Sequence, residues 1–213
     1  MWEVVRIIVK TVYGIWRLPD RGIWEIRNEE KHFVFSKVMC WVALDRGVRV
    51  ASYLKQPDYE VAWRKEADKI KEDIMLNGWN EEIQSFTQSY DSTHADSSLL
   101  LMAQYGFIEP TDLRFINTVH RIRKELYRNR DDFGHPTSAF TICTFWLIQA
   151  LHEIGDKEEA KEIFDELLSH ANHVGLFSED LDFKTKRLLG NFPQAYSHLA
   201  LINTARIFEE DDD

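Results

Sequence analysis

The sequence predicts an all-α fold of about eight helices, and three observations carry that expectation. Apolar residues recur at three- and four-residue spacing in every long segment. Two of these segments are apolar around most of their circumference, whereas the others carry one apolar stripe and a charged face. No stretch alternates apolar and polar residues convincingly enough to mark a strand. Helices of the first kind need cover on both sides and helices of the second kind on one, which describes a two-layer helical array. No residue motif recurs at a fixed period, so a curved ring of helical hairpins fits better than a regular solenoid.

Taken in order, Trp2, Val5, Ile8, Val9, Val12 and Trp16 share a helical face and are followed by Pro19, so residues 2–17 read as an amphipathic helix. Residues 32–53 carry Phe33, Phe35, Val38, Met39, Trp41, Val42 and Leu44 all round and predict a buried helix. Pro57 breaks the next connection, and residues 61–76 form a third helix with a solvated Lys and Glu face, closed by Gly78. Residues 80–93 are polar and turn-like, and 95–105, with Leu99, Leu100, Leu101 and Met102, read as a short buried helix stopped by Gly106. Thr111 and Asp112 cap a helix over 113–127, with Phe115, Ile116, Val119, Ile122 and Leu126 inward. A Gly/Pro loop at 129–136 leads to the second nearly all-apolar helix, 139–154. Asp156 with Glu159 has the form of a capping box for the helix 157–170. Asn191 with Gln194 repeats the device before the last helix, 192–208, and 209–213 is a solvated tail.

Composition narrows the function. With 213 residues, 44% hydrophobic and 29% charged, the chain has the make-up of one soluble globular domain. A formal charge of -10 argues against a nucleic-acid phosphate binder, which needs clustered Lys and Arg, and favours neutral substrates. Seven tryptophans suit stacking on sugars and equally suit a core. No apolar stretch is long enough to span a bilayer, and the start lacks the order of a signal peptide, so a cytoplasmic protein that meets no membrane is expected. Cys40 and Cys143 lie in apolar helical runs and read as reduced, buried thiols. His170 and His173 share a helical spacing without a third ligand near in sequence, so neither a metal nor another cofactor is expected.

Loops at one rim of such a ring converge, and those expected here are 19–31, 129–136 and 174–190. The first holds Pro19, Asp20, Arg21, Gly22, Ile23, Trp24 and Glu25. A scaffold that fixes a loop and a loop that exposes its groups are where binding and catalysis concentrate. An indole face can stack on a sugar or exclude water, and a carboxyl beside it can keep its proton near neutral pH. The other reading of the same pair is a hydrophobic anchor followed by a first-turn acid that suits a helix dipole. The third loop holds Glu179, Asp180 and Asp182 behind Gly175. Those acids also suit a solvated turn, but together with Glu25 they match a chemistry. Inverting glycoside hydrolysis needs one protonated carboxyl for the leaving oxygen and one ionised carboxyl to activate water, about 6.5–9.5 Å apart.

Four ordered segments then resemble one family. PDRGIWEIRNEEKHFVFSKVMCWVALDRGVRVA is similar to the catalytic-acid region of glycoside hydrolase family 15, which holds glucoamylases, glucodextranases and trehalases. DSTHADSSLLLMAQYGFIEPTD and DDFGHPTSAFTICTFWLIQALHEIGDKEEAKEIFDELL resemble its buried-helix segment and next helical pair. GLFSEDLDFKTKRLLGNFPQAYSHLALI resembles its catalytic-base loop and closing helix.

The resemblance implies an (α/α)6 barrel and a glycoside hydrolase, an inverting, exo-acting α-glucosidase of glucoamylase type (glucan 1,4-α-glucosidase). It places Glu25 on the general acid and Glu179 on the general base, with Trp24 and Arg27 lining the glucose subsite. A structural salt bridge is the equal alternative for Arg27. Asp20 is expected to order the acid's loop by Asx-type bonding, while Asp180 and Asp182 shape theirs. Family members are longer, so residues 1–213 are expected to be a C-terminal portion of the catalytic domain, an incomplete barrel. The expected partners are an α-glucoside, either maltodextrin or trehalose, and a missing N-terminal half or a second copy. Two alternatives stand beside this reading. One is an α,α-trehalase of the same family, to which the 131–136 loop and the 139–146 run look closer. The other is a truncated fragment or subunit without catalysis of its own.

Overall fold

The structure, a computed structural model, describes residues 1–25, 27, 29–125 and 138–211. The expected loop 129–136, with its hint of a trehalase, lies outside the described residues, as do Leu126 and Tyr127. The described chain divides into two compact units, Met1–Ile108 and Glu109–Asp213.

In the first unit, helices α1 (Trp2–Ile15), α2 (Val34–Tyr53) and α3 (Pro57–Asn77) follow one another. The apolar circumference of α2 has the expected result: Val34, Val38, Leu44 and Ala51 are all fully buried. Gly47 lets α1 and α3 close on it, because a Cβ there would lie 2.7 Å from Val9 and 3.2 Å from Trp63. The buried carboxylate of Asp45 is matched by Arg46, Arg49 and Arg64 at 2.6, 2.9 and 3.2 Å, as a buried charge requires.

Several expectations are corrected in this unit. Pro57 does not break the chain before a helix at 61 but begins α3, where its missing N–H is no loss. Ile8 is exposed rather than part of the inward stripe. Residues 80–93 are not strand-free. Strands β1 (Trp79–Asn80) and β2 (Ser85–Phe86) pair antiparallel, and Asn80 Oδ1 accepts from the N–H groups of Glu82 and Ile83 to turn the chain between them. In place of an α-helix over 95–105 there is a 3-10 turn, Ser97–Leu101. Its five residues are all buried, and Asp96 engages the nearby N–H of Ser98. Cys40 is half-buried, not buried, and neither it nor the buried Cys143 is in a disulfide.

The second unit is built around α5 (Thr141–Ile154), with α4 (Leu113–Glu125), α6 (Lys157–Ser169) and α7 (Ala195–Asp211) as its other helices. Asp112 caps α4 as expected, accepting from Arg114 N–H at 2.9 Å. The two predicted capping boxes do not form. Asp156 turns its carboxylate to His120 at 2.9 Å, and Glu159 pairs with Arg123, so tertiary partners outbid the helix end. At α7, Gln194 takes the capping role, its Oε1 accepting from Ser197 N–H at 3.2 Å. Phe145 forms the aromatic centre of the unit, 5.7 Å from Phe177 and 6.5 Å from Phe164. A short antiparallel sheet, also unanticipated, orders β3 (Ser138–Phe140), β4 (Asp180–Asp182) and β5 (Leu188–Leu189) side by side. Among the described residues no helix is long and apolar enough to cross a membrane.

Candidate active site

The loop after α1 is anchored before it begins. Buried Lys37 donates from Nζ to the carbonyl oxygens of Trp16 and Leu18, both at 2.5 Å, satisfying acceptors that the helix end leaves open. Burial pulls the Lys37 ammonium below its ordinary pKa, against the pull of Cys40, Asp20 and Asp73. Trp16 donates from Nε1 to Glu66 at 2.9 Å, so α3 also grips the end of α1. Burial favours the neutral form of Glu66, but hydrogen bonds from Lys69, Trp16 and Arg17 outweigh it and hold the carboxyl below its usual range.

Asp20 closes the base of the loop as the Asx reading expects. Its N–H and carbonyl pair with those of Lys31, both at 2.9 Å. Its Oδ1 accepts from Gly22 N–H at 2.5 Å and from Ser36 Oγ at 2.8 Å. Gly22 packs on Phe33, whose ring a Cβ would meet at 3.1 Å. At the tip, Trp24 is half-buried and donates from Nε1 to both carboxylate oxygens of Asp96, at 3.1 and 3.0 Å. Glu25 follows, exposed, with φ +50. A side-chain-bearing residue in the left-handed region is strained, and such strain gathers where a group must be aimed. The N–H of Glu25 donates to Gly22 at 3.3 Å. Arg27 is exposed, and its carbonyl accepts from Arg21 at 3.5 Å.

Glu179 belongs to the second unit and is held more tightly. Its N–H donates to Asn191 at 2.9 Å and its carbonyl accepts from Thr141 at 2.8 Å, which fixes it between the sheet and the start of α5. Its side chain accepts at Oε2 from Asn191 N–H at 3.1 Å and from Asn191 Nδ2 at 3.0 Å. Both bonds converge on one carboxylate oxygen and fix the orientation of the group. Upstream, the N–H of Phe177 donates to His198 Nε2 at 3.3 Å, while His198 Nδ1 donates to the Gln194 carbonyl at 2.7 Å. The two partners fit the tautomer that carries its proton on Nδ1. Ser197 Oγ reaches the Ser178 carbonyl at 3.1 Å, so α7 carries the loop. Asp180 and Asp182 shape it. Asp182 Oδ1 accepts from the N–H and Oγ of Thr185 and from Lys184 N–H, bonds that lower its pKa.

Thus Trp24, Glu25 and Arg27 share one loop of the first unit, and Glu179 stands in the second. Sequence reasoning missed the residues that hold them. Asn191 reads as a helix cap because Gln194 stands three residues on, yet it embraces Glu179. Asp96 lies at the start of the stretch that reads as a short buried helix, which gives no sign of a role at this loop. The Gly190–Asn191 pair after a strand was the available signal, since Gly190 approaches Glu179 closely.

Comparison with known proteins adds independent findings. The family described as glycosyl hydrolases family 15 matches residues 1–206. The chain is 44% identical over 214 residues to a trehalase of Mycobacterium tuberculosis, covering 95% of this chain and 31% of that protein. It is 36% identical over 219 residues to a trehalase of Thermoplasma volcanium, covering 99% and 35%. The chain therefore spans about a third of the length of these curated relatives. Among solved structures, a glycosidase variant in complex with glucose aligns with TM-score 0.78 at 18% identity, over 94% of this chain and 58% of that one. Glucoamylase from Saccharomycopsis fibuligera aligns with TM-score 0.72 at 12% identity, over 95% and 60%. Likeness at such identity shows the fold, which is the expected all-α, (α/α)6 class, here a part of the barrel.

Proposed function

Since the chain belongs to glycosyl hydrolases family 15, we propose that it supplies both catalytic carboxyls of an inverting glycosidase whose substrate is trehalose. The observation that carries the substrate is the pair of curated relatives named trehalase at 44% and 36% identity over nearly the whole chain. The likeness to a glucoamylase rests on 12% identity, so the glucoamylase reading gives way to its trehalase alternative.

In this reading Glu25 is the general acid and gives its proton to the oxygen that bridges the two glucose rings. Glu179 is the general base. Its free oxygen takes a proton from a water that attacks the anomeric carbon from the opposite face as the bond to the bridging oxygen breaks. Trp24 offers its indole face to the ring and Arg27 its guanidinium to the hydroxyls. The bonds from Asn191 orient the carboxylate of Glu179, whereas Glu25 is exposed and lacks cover from the described residues. Further polypeptide, of the kind the relatives carry beyond the matched third, supplies that cover and the rest of the pocket.

Glucose release from trehalose and from maltose tests the reading. Trehalose should be the better substrate, and Glu25→Gln and Glu179→Gln should each remove most of the turnover. Maltose hydrolysis without trehalose hydrolysis would return the chain to the starch-cleaving branch. Full turnover in either variant would remove that residue from its role.

A further inference from the structure

Asp96 does more than a helix cap requires. It is 5% exposed and stands in extended conformation before the 3-10 turn. Its Oδ1 accepts from Ser98 N–H at 2.8 Å and from Ser98 Oγ at 2.6 Å, which completes the cap. One oxygen is enough for that duty, and asparagine performs it as well as aspartate. The second oxygen is turned elsewhere. Oδ2 accepts from Gln88 Nε2 at 3.2 Å and from Trp24 Nε1 at 3.0 Å, and Oδ1 shares the same indole at 3.1 Å. Hydrogen bonds to an ionised acceptor are roughly twice as strong as neutral ones, and a buried carboxylate needs each of these donors.

We propose that Asp96 is a positioning residue for the candidate general acid. It fixes the Trp24 indole and, one peptide further on, the carboxyl of Glu25. The proposal rests on the reading of Glu25 as that acid. Within the loop the two ends are held separately from the tip. The Asp20 and Lys31 pairing and the Ser36 contact bind the base, while the indole carries the tip onto the body of the unit. Glu25 sits in the left-handed region at φ +50, and its own N–H makes a long bond of 3.3 Å to Gly22. A strained residue keeps its conformation only while its surroundings impose it. Release of the indole therefore lets Glu25 relax toward ordinary backbone angles and turns its carboxyl away.

The choice of substitution separates positioning from mere structure. Asp96→Asn keeps the acceptor for Ser98 and gives up the charge and one of the two oxygens facing Trp24. Asp96→Ala gives up the cap as well. A 15N-labelled chain presents seven indole signals, one for each tryptophan, and Trp24→Phe identifies its own by its disappearance. In Asp96→Asn the Trp24 indole proton should move upfield and exchange with solvent about ten to a hundred times faster, the factor expected for losing a charge-assisted bond. The amide signal of Glu25 should move with it, and thermal stability should fall less than in Asp96→Ala, which loses the cap as well. In the preparation that hydrolyses trehalose, kcat should fall about ten- to a hundredfold with little change in KM. Trp24 and Glu25 signals unchanged in Asp96→Asn would overturn the proposal. So would losses of stability in Asp96→Asn equal to those of Asp96→Ala with no selective effect on the loop. Glu25→Gln judges the underlying reading separately. Turnover retained there removes Glu25 from the acid role, and with it the purpose assigned to Asp96, whatever the indole does.

Discussion

Replacing Gly190 by alanine tests whether Glu179 must stand where the structure holds it. Gly190 has φ +75, and a Cβ there would lie 2.7 Å from Glu179 Oε2 and 2.9 Å from its Cβ. Non-bonded carbons rest at about 3.5–4.0 Å, so the carboxylate must retreat by something on the order of 1 Å. The Asn191 bonds of 3.1 and 3.0 Å to the same oxygen are disturbed as it does. A displacement of about 1 Å in a catalytic group costs on the order of a hundredfold in rate, or about 2.7 kcal/mol in the barrier. A separate cost of about 1–2 kcal/mol in stability comes from placing a Cβ in the left-handed region. Gly175 isolates that second cost, since it has φ +77 and nothing within 4 Å of a built Cβ. Urea denaturation should show both alanine variants destabilised, Gly190→Ala the more. Trehalose kcat/KM should fall about a hundredfold in Gly190→Ala alone. Equal activity in the two variants would refute the claim that the placement of this carboxylate matters to the reaction.

Three further outcomes are expected. Burial lifts the Glu153 carboxyl to about 7 from an ordinary 4.5, so the folded state holds its proton more tightly and stability falls as pH rises from 4.5 to 7, remaining low above. Urea titrations should therefore find Glu153→Gln more stable than the parent by up to about 3 kcal/mol at pH 8 and alike at pH 4; an equal gain at both would contradict this origin. Phe145→Ala, which empties the fully buried centre between Phe164 and Phe177, should cost about 3–5 kcal/mol in denaturant unfolding, and a loss below about 1 kcal/mol would show that the ring is not a core residue. The chain alone should self-associate and turn over slowly, because Val4, Ile7, Ile8 and Ile15 on α1 and Leu199 and Ile202 on α7 are exposed and apolar area gains roughly 25 cal/mol per Å² on burial. Light scattering with a glucose assay on one preparation checks this, and a monodisperse monomer with ordinary turnover contradicts it.

The helices were legible because their signals are local. The all-apolar runs that became α2 and α5 and the stripe of α4 follow from periodicity that tertiary contacts did not override. Short strands escaped notice because two or three residues offer no period to read, and β4 pairs with β3 across a gap of some forty residues. The 3-10 turn at Ser97 was hidden for another reason: its leucines are buried on every side, so hydrophobicity alone cannot distinguish it from an α-helix. The helix caps misled where a long-range partner existed, as with Asp156 and His120. At the candidate site, the motif pointed to Trp24, Glu25 and Glu179, because the pattern lies in the residues directly beside each carboxyl. Asp96 and Asn191 were not legible as their partners. Asp96 grips a side chain seventy-two residues away, and no local pattern records such a contact.

The anomeric form of the first glucose released decides the chemistry most directly. Inversion at one ring of trehalose gives β-glucose from the ring that water attacks and leaves the other ring as α-glucose. Proton NMR of the reaction, followed faster than the sugars mutarotate, should show the two anomers appearing in equal amounts, and both should vanish in Glu25→Gln and in Glu179→Gln. Release of α-glucose alone would mean retention of configuration, and Glu25 and Glu179 would then not be the acid and base of an inverting site.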